Sequence, residues 1–358
     1  MISRRIEPDR LSRAALDDYL ARGWYRIGRA MITTDYLVSD GDLRSAIWTR
    51  VDLQRHRFKS SLRKRMARSA RRFRVEVGEL VLDTAHEELY TRYREMAGGV
   101  RAESLDQVLG GEEGRALFHT REISIWSGDA LVAFSWFDLG ETSVQSLIGV
   151  YEPAYRKHGL GFYTLLLEIE HAAALGMRFH YAGYVLSEPS GMDYKRSVGD
   201  LEYLDPATKR WLDHSPYAEG QSPAEVRRRR LGEAAEALSR SGASGGLVLN
   251  SLLKIPGLSD RIPQCADEPL LLICASDEHP LGVLTVWEQE RESYALFSGK
   301  PVSVTLDHDD AGEATEPMQI DLFIIQRRLG DFDSAEEVAF WVRHYLPLLA
   351  PRVRSERG

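Results

Sequence analysis

The sequence contains little cysteine, no long apolar run and no apolar segment near its first residues. Its 358 residues include two cysteines, Cys265 and Cys274, and no CxxC pair, so a disulfide framework, a structural zinc site and an iron–sulfur cluster lack the residues they need. No apolar run of transmembrane length occurs, and the opening MISRRIEPDRLSR has no apolar stretch after its charges, as a secretory signal would. We therefore expect a cytoplasmic protein with no membrane partner, no bound metal and no resident cofactor.

Positive charge is concentrated at the N-terminal end of a chain that is acidic overall. Residues 1–75 hold 19 Lys/Arg and 8 Asp/Glu, a formal charge of +11, whereas the whole chain carries −8. The remaining residues must therefore carry −19. This asymmetry predicts a polyanionic partner for the N-terminal end of the chain.

The stretch FKSSLRKRMARSARRFRV, residues 58–75, has the pattern of an amphipathic helix with an entirely basic surface. Its apolar positions Leu62, Met66, Ala70 and Phe73 fall at helical spacing. No acid interrupts its basic residues, whereas solvated helix surfaces usually mix both signs. The pattern favours phosphate binding, and a merely solvated basic helix is the alternative. The candidate phosphate ligands are Arg63, Lys64, Arg65, Arg68, Arg71 and Arg72.

A glycine loop lies between a strand and a helix in the middle of the chain. The strand patterns REISIWSG, LVAFSWFDLG and SVQSLIGVY cover residues 121–151, after an acid- and glycine-rich loop that runs to Gly114. Arg156, Gly159 and Gly161 then form an R-x-x-G-x-G loop before an amphipathic helix, and RFHYAGYVL follows as a strand. Backbone N–H groups at such a junction bind phosphate oxygens, while a tight turn that needs positive φ is the alternative.

This order of hairpin, strand, glycine loop, helix and strand resembles the core of the GNAT N-acyltransferase fold. The resemblance implies an α+β fold with a mixed sheet, in which the last strand splays from its neighbour and the acyl group lies in the gap. Aromatic and polar side chains are clustered at the end of this strand, which suits an amino-acid or ribose pocket; an ordinary loop with surface tyrosines is the alternative. The cluster comprises Tyr181, Tyr184, Glu188, Asp193, Tyr194 and Lys195.

Composition divides the chain into three segments. We predict an N-terminal basic subdomain over 1–75, a GNAT-like domain over 76–240 and a separate C-terminal α+β domain of unknown role over 247–358. A capping box at Ser222 opens a helix that contains the run RRRR, which we interpret as a solvated face because glutamates share the helix. The stretch SGASGG has the composition of a linker.

Several motifs together resemble the arginyl- and leucyl-tRNA–protein transferases, which move an amino acid from tRNA to a protein N-terminus. YLARGWYRIG (19–28) is similar to the family's RGW segment, and LYTRY (89–93) to its LY-x-x-Y helix. The resemblance runs from about Leu20 to Trp211, but the family's N-terminal cysteine cluster is missing. The stretch YAGYVLSEPSGMDYK is similar to the family's LGYY…M-x-YK signature, and the residues that match in order are Gly183, Tyr184, Met192, Tyr194 and Lys195.

The resemblance implies an aminoacyl-tRNA-dependent transferase with charged tRNA as its co-substrate. The enzyme would form an amide bond between a tRNA-borne amino acid, arginine or leucine, and the amine of a protein, a peptide or a small molecule. The basic helix would hold the tRNA backbone, and the glycine loop would receive phosphates of the acceptor end. Two other functions remain open: an acyl-CoA-dependent GNAT N-acyltransferase, and a non-catalytic tRNA- or RNA-binding protein.

The same resemblance assigns roles to the cluster at the end of the strand. Tyr184, Tyr194 and Lys195 would bind the terminal adenosine or orient the ester carbonyl. As a hypothesis from their negative charge and not from the resemblance, Asp193, which we group with the catalytic residues, or Glu188 would bind a cationic side chain or the α-ammonium group of the donor. The remaining substrate-binding residues are Tyr181 and Met192. No residue is assigned as a general base, and the oligomeric state is not predicted.

Overall fold

The structure, a computed structural model, describes residues 3–39, 41–97, 101–256, 258, 262, 264–275, 282–306 and 318–348. The chain divides into two compact units. The central unit comprises residues 5–33 and 46–216. The C-terminal unit comprises the described parts of 1–4, 34–45 and 217–358.

The secondary structure of the described residues mixes helices and strands throughout. The α-helices are α1 Arg13–Ala21, α2 Ser60–Ala70, α3 Thr84–Ala97, α4 Leu105–Leu109, α5 Gly111–Leu117, α6 Leu160–Ala174, α7 Pro223–Arg240 and α8 Ala335–Leu348. The strands are β1 Ser3–Ile6, β2 Tyr25–Ile27, β3 Ala30–Thr34, β4 Tyr36–Ser39, β5 Asp42–Asp52, β6 Arg74–Glu79, β7 Thr120–Ser127, β8 Ala130–Leu139, β9 Ser143–Tyr151, β10 Phe179–Leu186, β11 Leu201–Leu204, β12 Trp211–Leu212, β13 Gly246–Leu249, β14 Leu270–Ala275, β15 Gly282–Glu288, β16 Ser293–Leu306 and β17 Met318–Phe332.

The central unit is built on a mixed sheet with the strand order β12-β11-β5-β10-β9-β8-β7-β6. Strands β9 and β10 are parallel, and the other neighbours are antiparallel. Helix α6 makes the crossover that a parallel pair requires. The predicted α+β class, the mixed sheet and the order of hairpin, strand, glycine loop, helix and strand are confirmed.

Helices α2 and α6 are buried in the same hydrophobic cluster as the sheet. Leu160 and Leu166 of α6 lie there with residues from β7 and β8, and Leu62 and Met66 of α2 join them. Burying one such side chain contributes about 2 kcal/mol. Of the predicted apolar positions, Leu62, Met66 and Phe73 are buried, whereas Ala70 is exposed and Ser69 is buried in its place.

The C-terminal unit contains an antiparallel sheet in the order β13-β14-β15-β16-β17. Helices α7 and α8 share a buried cluster with this sheet, which includes Leu231, Leu272 and Val338. The capping box of α7 forms as predicted, because Ser222 Oγ accepts from the backbone N–H of Glu225 and the Glu225 carboxylate accepts from that of Ser222.

The two units divide the chain differently from the three predicted segments. Most of β5 and all of α2 lie in the predicted 1–75 segment but belong to the central unit, since β5 pairs with β10 and β11. Helix α7 lies in the predicted 76–240 segment but belongs to the C-terminal unit, where it packs on α8 and β14. The predicted segments follow composition, whereas the units follow strand pairing and burial.

No helix in the described ranges is both long and apolar enough to span a bilayer. Within the same ranges, no group of three or more His, Cys, Asp or Glu is placed to hold a metal ion. Both cysteines are buried free thiols in the C-terminal unit.

Candidate functional site

The parallel strands β9 and β10 separate part-way along their length. Their last paired residues are Gln145 and Tyr181, and beyond this point β10 remains paired with β5. Each strand carries an extra residue near the divergence, at Leu147 in β9 and just before Gly183 in β10. Bulges of this kind bend a strand, so the splay implied by the fold resemblance is present. We call the opening between Leu147 and Gly183 the β9–β10 gap.

Two side chains from outside these strands donate hydrogen bonds to strand carbonyls at the gap. The Tyr25 hydroxyl donates to Ser146 O at 2.7 Å and lies 3.0 Å from Leu147 O. Lys195 Nζ donates to Tyr184 O at 3.2 Å. Carbonyl groups shielded from water need such partners, so the two side chains stabilise a stretch in which β9 and β10 no longer pair.

Gly183 lies between these two side chains. Its φ is +89°, a conformation that other residues rarely adopt. A Cβ atom at this position would lie 3.3 Å from Lys195 Nζ and 3.6 Å from Tyr25 Cε2. The Trp48 ring centre is 5.8 Å from that of Tyr25 and 5.5 Å from that of Tyr184. We call these five residues the Gly183 group.

Lys195 is half-buried, and its surroundings change the pKa of its amino group. Burial lowers the pKa of Lys195 to about 8, and the nearby Glu168 carboxylate opposes this shift because it favours the charged form. Glu168 is itself buried, and its Oε2 lies 3.0 Å from Nε2 of the buried His180. At neutral pH Lys195 therefore remains mostly an ammonium group, with more N–H donors than the one used on Tyr184.

Aromatic side chains from α3, α6 and β9 lie near the same group. The Tyr194 and Phe162 ring centres are 6.0 Å apart, and those of Tyr93 and Tyr151 are 5.2 Å apart. Desolvation raises the pKa of Tyr194 to about 12, with smaller contributions from Tyr93 and Glu168. The Tyr194 hydroxyl is therefore neutral near pH 7 and can donate a hydrogen bond.

The predicted glycine loop lies at the N-terminus of α6, beside an arginine of α2. Gly159 has a φ of +62° and ends the 3₁₀ turn Pro153–His158. Arg65 Nη2 donates to Gly159 O at 3.4 Å, and a Cβ at Gly161 would lie 3.1 Å from the Tyr151 ring. The first N–H groups of a helix have no acceptor within it and favour a nearby anion. The tight turn is thus present, and phosphate binding at the start of α6 stays a prediction.

The basic surface of α2 is free of acidic partners. The cations of α2 and of the two residues that follow it are exposed, and none forms an ion pair with a carboxylate in the part of the chain that the structure describes; they are Arg63, Lys64, Arg68, Arg71 and Arg72. Arg156, on the 3₁₀ turn before the loop, is also exposed. Because the buried side of α2 fixes its orientation, the cations form a surface of one sign, which attracts a polyanion.

The remaining predicted residues have surroundings of their own. Tyr181 is buried in a hydrophobic cluster with residues of α1. Asp193 Oδ2 accepts from Ser190 N at 2.9 Å, which stabilises the turn before Lys195. Glu188 and Met192 are half-buried in the segment after β10. Of the predicted catalytic residues, Tyr184 and Lys195 belong to the Gly183 group.

Sequence reasoning missed three aromatic residues of the site. Tyr25 stands in the RGWYRIG motif and Tyr93 in LYTRY, so the motif resemblance pointed to their neighbourhoods without assigning them a role. Trp48 carries no local signal, because its position at the site depends on the pairing of β5 with β10. The buried Glu168–His180 pair was also missed, since its partners come from α6 and β10.

Most of this site falls in a part of the chain that matches a known family. The family described as "Arginine-tRNA-protein transferase, C terminus" matches residues 66–205, which include part of α2, the glycine loop and Lys195 but neither Tyr25 nor Trp48. The chain is 28% identical over 137 residues to an aspartate/glutamate leucyltransferase of Acinetobacter baumannii. This match covers 36% of the chain and 49% of the relative, so the chain spans about half the length of the curated relative it matches.

Two solved structures are similar at low identity. FemX is 10% identical with a TM-score of 0.34, and the match covers 54% of this chain and 65% of that chain. L-PGS from Bacillus licheniformis is 15% identical with a TM-score of 0.30, and the match covers 43% of this chain and 52% of that chain.

Proposed function

We propose that this protein transfers an amino acid from a charged tRNA to an amine. The match of residues 66–205 to the family described as "Arginine-tRNA-protein transferase, C terminus" supports this proposal. The observation that carries the proposal is a basic helix that contacts, through Arg65, a glycine loop at a helix N-terminus, and whose exposed cations pair with no carboxylate among the described residues. The donor amino acid is proposed to be arginine or leucine. The acceptor is proposed to be the amine of a protein, a peptide or a small molecule.

The charge of α2 supports a polynucleotide donor over coenzyme A. Its exposed cations outnumber the few phosphates of a coenzyme A molecule. The end of the basic stretch lies beside the turn before the glycine loop, where the Phe73 and His158 ring centres are 5.6 Å apart. A tRNA acceptor stem would neutralise the cations with consecutive phosphates. The N–H groups at the start of α6, together with Arg65, would receive a phosphate near the end of the same strand.

Transfer requires positioning of an ester that is already reactive. The neutral amine attacks the ester carbon, the C–N bond forms, and the ester C–O bond breaks. The ribose oxygen leaves with the proton that the amine loses, carried by solvent. Lys195, with N–H groups beyond the one donated to Tyr184 O, is the candidate donor to the developing oxyanion. No covalent intermediate is needed for this step.

The donor class is tested by offering both donors to the same protein. The protein is mixed with a total pool of charged tRNAs and a peptide library, the retained tRNA is sequenced, and labelled acetyl-CoA is offered in parallel. Retention of a defined tRNA set with consumption of its amino acid supports the proposal. Consumption of acetyl-CoA alone would identify an acyl-CoA enzyme, and tRNA retention without transfer would identify a binding protein.

The role of Lys195 is tested by a pair of substitutions. Lys195→Ala should reduce transfer about a hundredfold or more, the usual cost of losing one oxyanion donor, while tRNA retention stays constant. Lys195→Arg keeps the charge at all pH values. Transfer by the wild type should therefore fall above about pH 8, as Lys195 loses its proton, and this fall should be absent in Lys195→Arg. The same fall in both proteins would assign it to another group.

A further inference from the structure

The β9–β10 gap contains a side chain that neither strand contributes. Tyr25 comes from β2, and its hydroxyl is held by Ser146 O and Leu147 O on the β9 side. Its ring packs against Trp48 of β5. The ring is half-buried, so part of it remains accessible while its orientation is fixed at two points.

One edge of the ring, next to the hydroxyl group, reaches β10. Tyr25 Cε2 would be 3.6 Å from a Cβ at Gly183, and Lys195 Nζ would be 3.3 Å from the same point. Because Gly183 has no side chain, the ring edge and the ammonium group approach each other over its backbone. The space beside Lys195 therefore ends at the Tyr25 ring.

This arrangement, combined with the proposed function, defines what the ring would contact. If Lys195 donates to the ester carbonyl, the α-carbon of the donor amino acid is one bond from that carbonyl, and its side chain extends into the neighbouring space. We propose that Tyr25 is a specificity-determining residue that limits the size of the donor amino acid's side chain beside Lys195. The inference rests on the proposed function and extends it to a residue outside the matched segment 66–205.

The test holds the tRNA constant and varies the amino acid. The tRNA that the wild type retains is charged in turn with alanine, leucine, phenylalanine and tryptophan, and two quantities are measured: the transfer rate and the protection of the ester from hydrolysis. Tyr25→Ala should shift the preference toward phenylalanine and tryptophan by about tenfold or more, the discrimination that a few carbon atoms give in an apolar pocket. Tyr25→Leu provides a second opening if Tyr25→Ala does not fold.

Two controls separate the size of the ring from the hydrogen bond. Tyr25→Phe keeps the ring and should keep the wild-type preference, even if the rate falls. Tyr90→Phe removes a different buried hydroxyl that also donates to a backbone carbonyl, Ala102 O at 2.7 Å, and should alter neither quantity.

The outcomes distinguish this inference from the function on which it rests. An equal loss for all four amino acids in both Tyr25→Ala and Tyr25→Leu would show that Tyr25 only supports the fold, and would overturn the inference. A change in acceptor preference with an unchanged donor profile would overturn it as well. The same tRNA charged with arginine is the control for the proposed function: if the wild type transfers neither arginine nor any of the four amino acids and protects none of the esters, the proposed function itself fails.

Discussion

Helices α2 and α7 both carry runs of basic residues, but the surroundings of their cations differ. On α7, Arg227 is buried and pairs with Glu268 at 3.1 Å and with the Tyr36 hydroxyl. Arg228 and Arg230 of the same helix also have carboxylates within 4 Å. The cations of α2 have no such partner in the described ranges of the chain.

The difference shows that the number of arginines in a helix does not measure its capacity to bind a polyanion. Glu225, Glu233 and Glu236 share α7 with its arginines, whereas α2 contains no acid. The interpretation of RRRR as a solvated face is wrong for Arg227, because burial and an ion pair hold it inside the C-terminal unit. Cations already paired within a fold have little charge left for a partner, so α2 is the better candidate for the tRNA surface.

The largest expected effect comes from removing exposed charge on α2. The triple variant Lys64→Ala, Arg68→Ala, Arg71→Ala should weaken tRNA binding about a hundredfold near 0.1 M salt and reduce the slope of log K against log salt by about 2 to 3. Binding titrations at several salt concentrations measure both quantities. An unchanged slope would mean that α2 does not contact the phosphates.

Removing Arg227 on α7 should instead reduce the stability of the C-terminal unit. Arg227→Ala leaves Glu268 without its partner, at a cost of about 2 kcal/mol in the free energy of unfolding. Burial raises the pKa of Glu268, and Arg227 opposes that rise. Without the arginine the pKa rises further, so the destabilisation should grow as the pH increases from about 4 to 7. Hydrogen exchange of β14 and β15 measures it, and equal loss at both pH values would argue against the pair.

The sequence predicts correctly those features that depend on residues close together in the chain. The α2 periodicity, the α7 capping box and the glycine loop are local patterns, and all three form as predicted. The loop predicted up to Gly114 instead contains α4 and the first residues of α5, because both helices are too short to show periodicity.

The site was predicted only in part for a related reason. Tyr184 and Lys195 were found because they lie eleven positions apart in one motif. Tyr25 and Trp48 join them through strand pairing and burial, which no local pattern records. Tyr181, three residues from Tyr184, was expected beside it, but Tyr181 is buried in the cluster with α1.

Arg65 provides an intermediate test on α2, because it combines charge with a specific contact. Its guanidinium donates to Gly159 O and lies 4.9 Å from the Phe162 ring centre. Arg65→Lys keeps the charge but removes the planar group that makes both contacts. We expect tRNA affinity to fall by about threefold with an unchanged salt slope, measured in the same titrations. A loss as large as that of the triple variant would indicate that Arg65 positions the whole glycine loop.

The smallest effect should come from the same number of charges removed from α7. Arg228→Ala, Arg229→Ala and Arg240→Ala together remove three positive charges, as the α2 triple variant does, but Arg228 and Arg240 face carboxylates and Arg229 donates to Gly220 O. The neighbouring acceptors therefore already reduce the attraction of these arginines for a polyanion. Losing the surface ion pairs should also cost little stability, because an isolated pair contributes at most about 1 kcal/mol. We expect tRNA affinity and salt slope to stay within error of the wild type. A slope reduced as much as in the α2 variant would mean that tRNA responds to total charge, and the contrast between the two helices would then have no functional meaning.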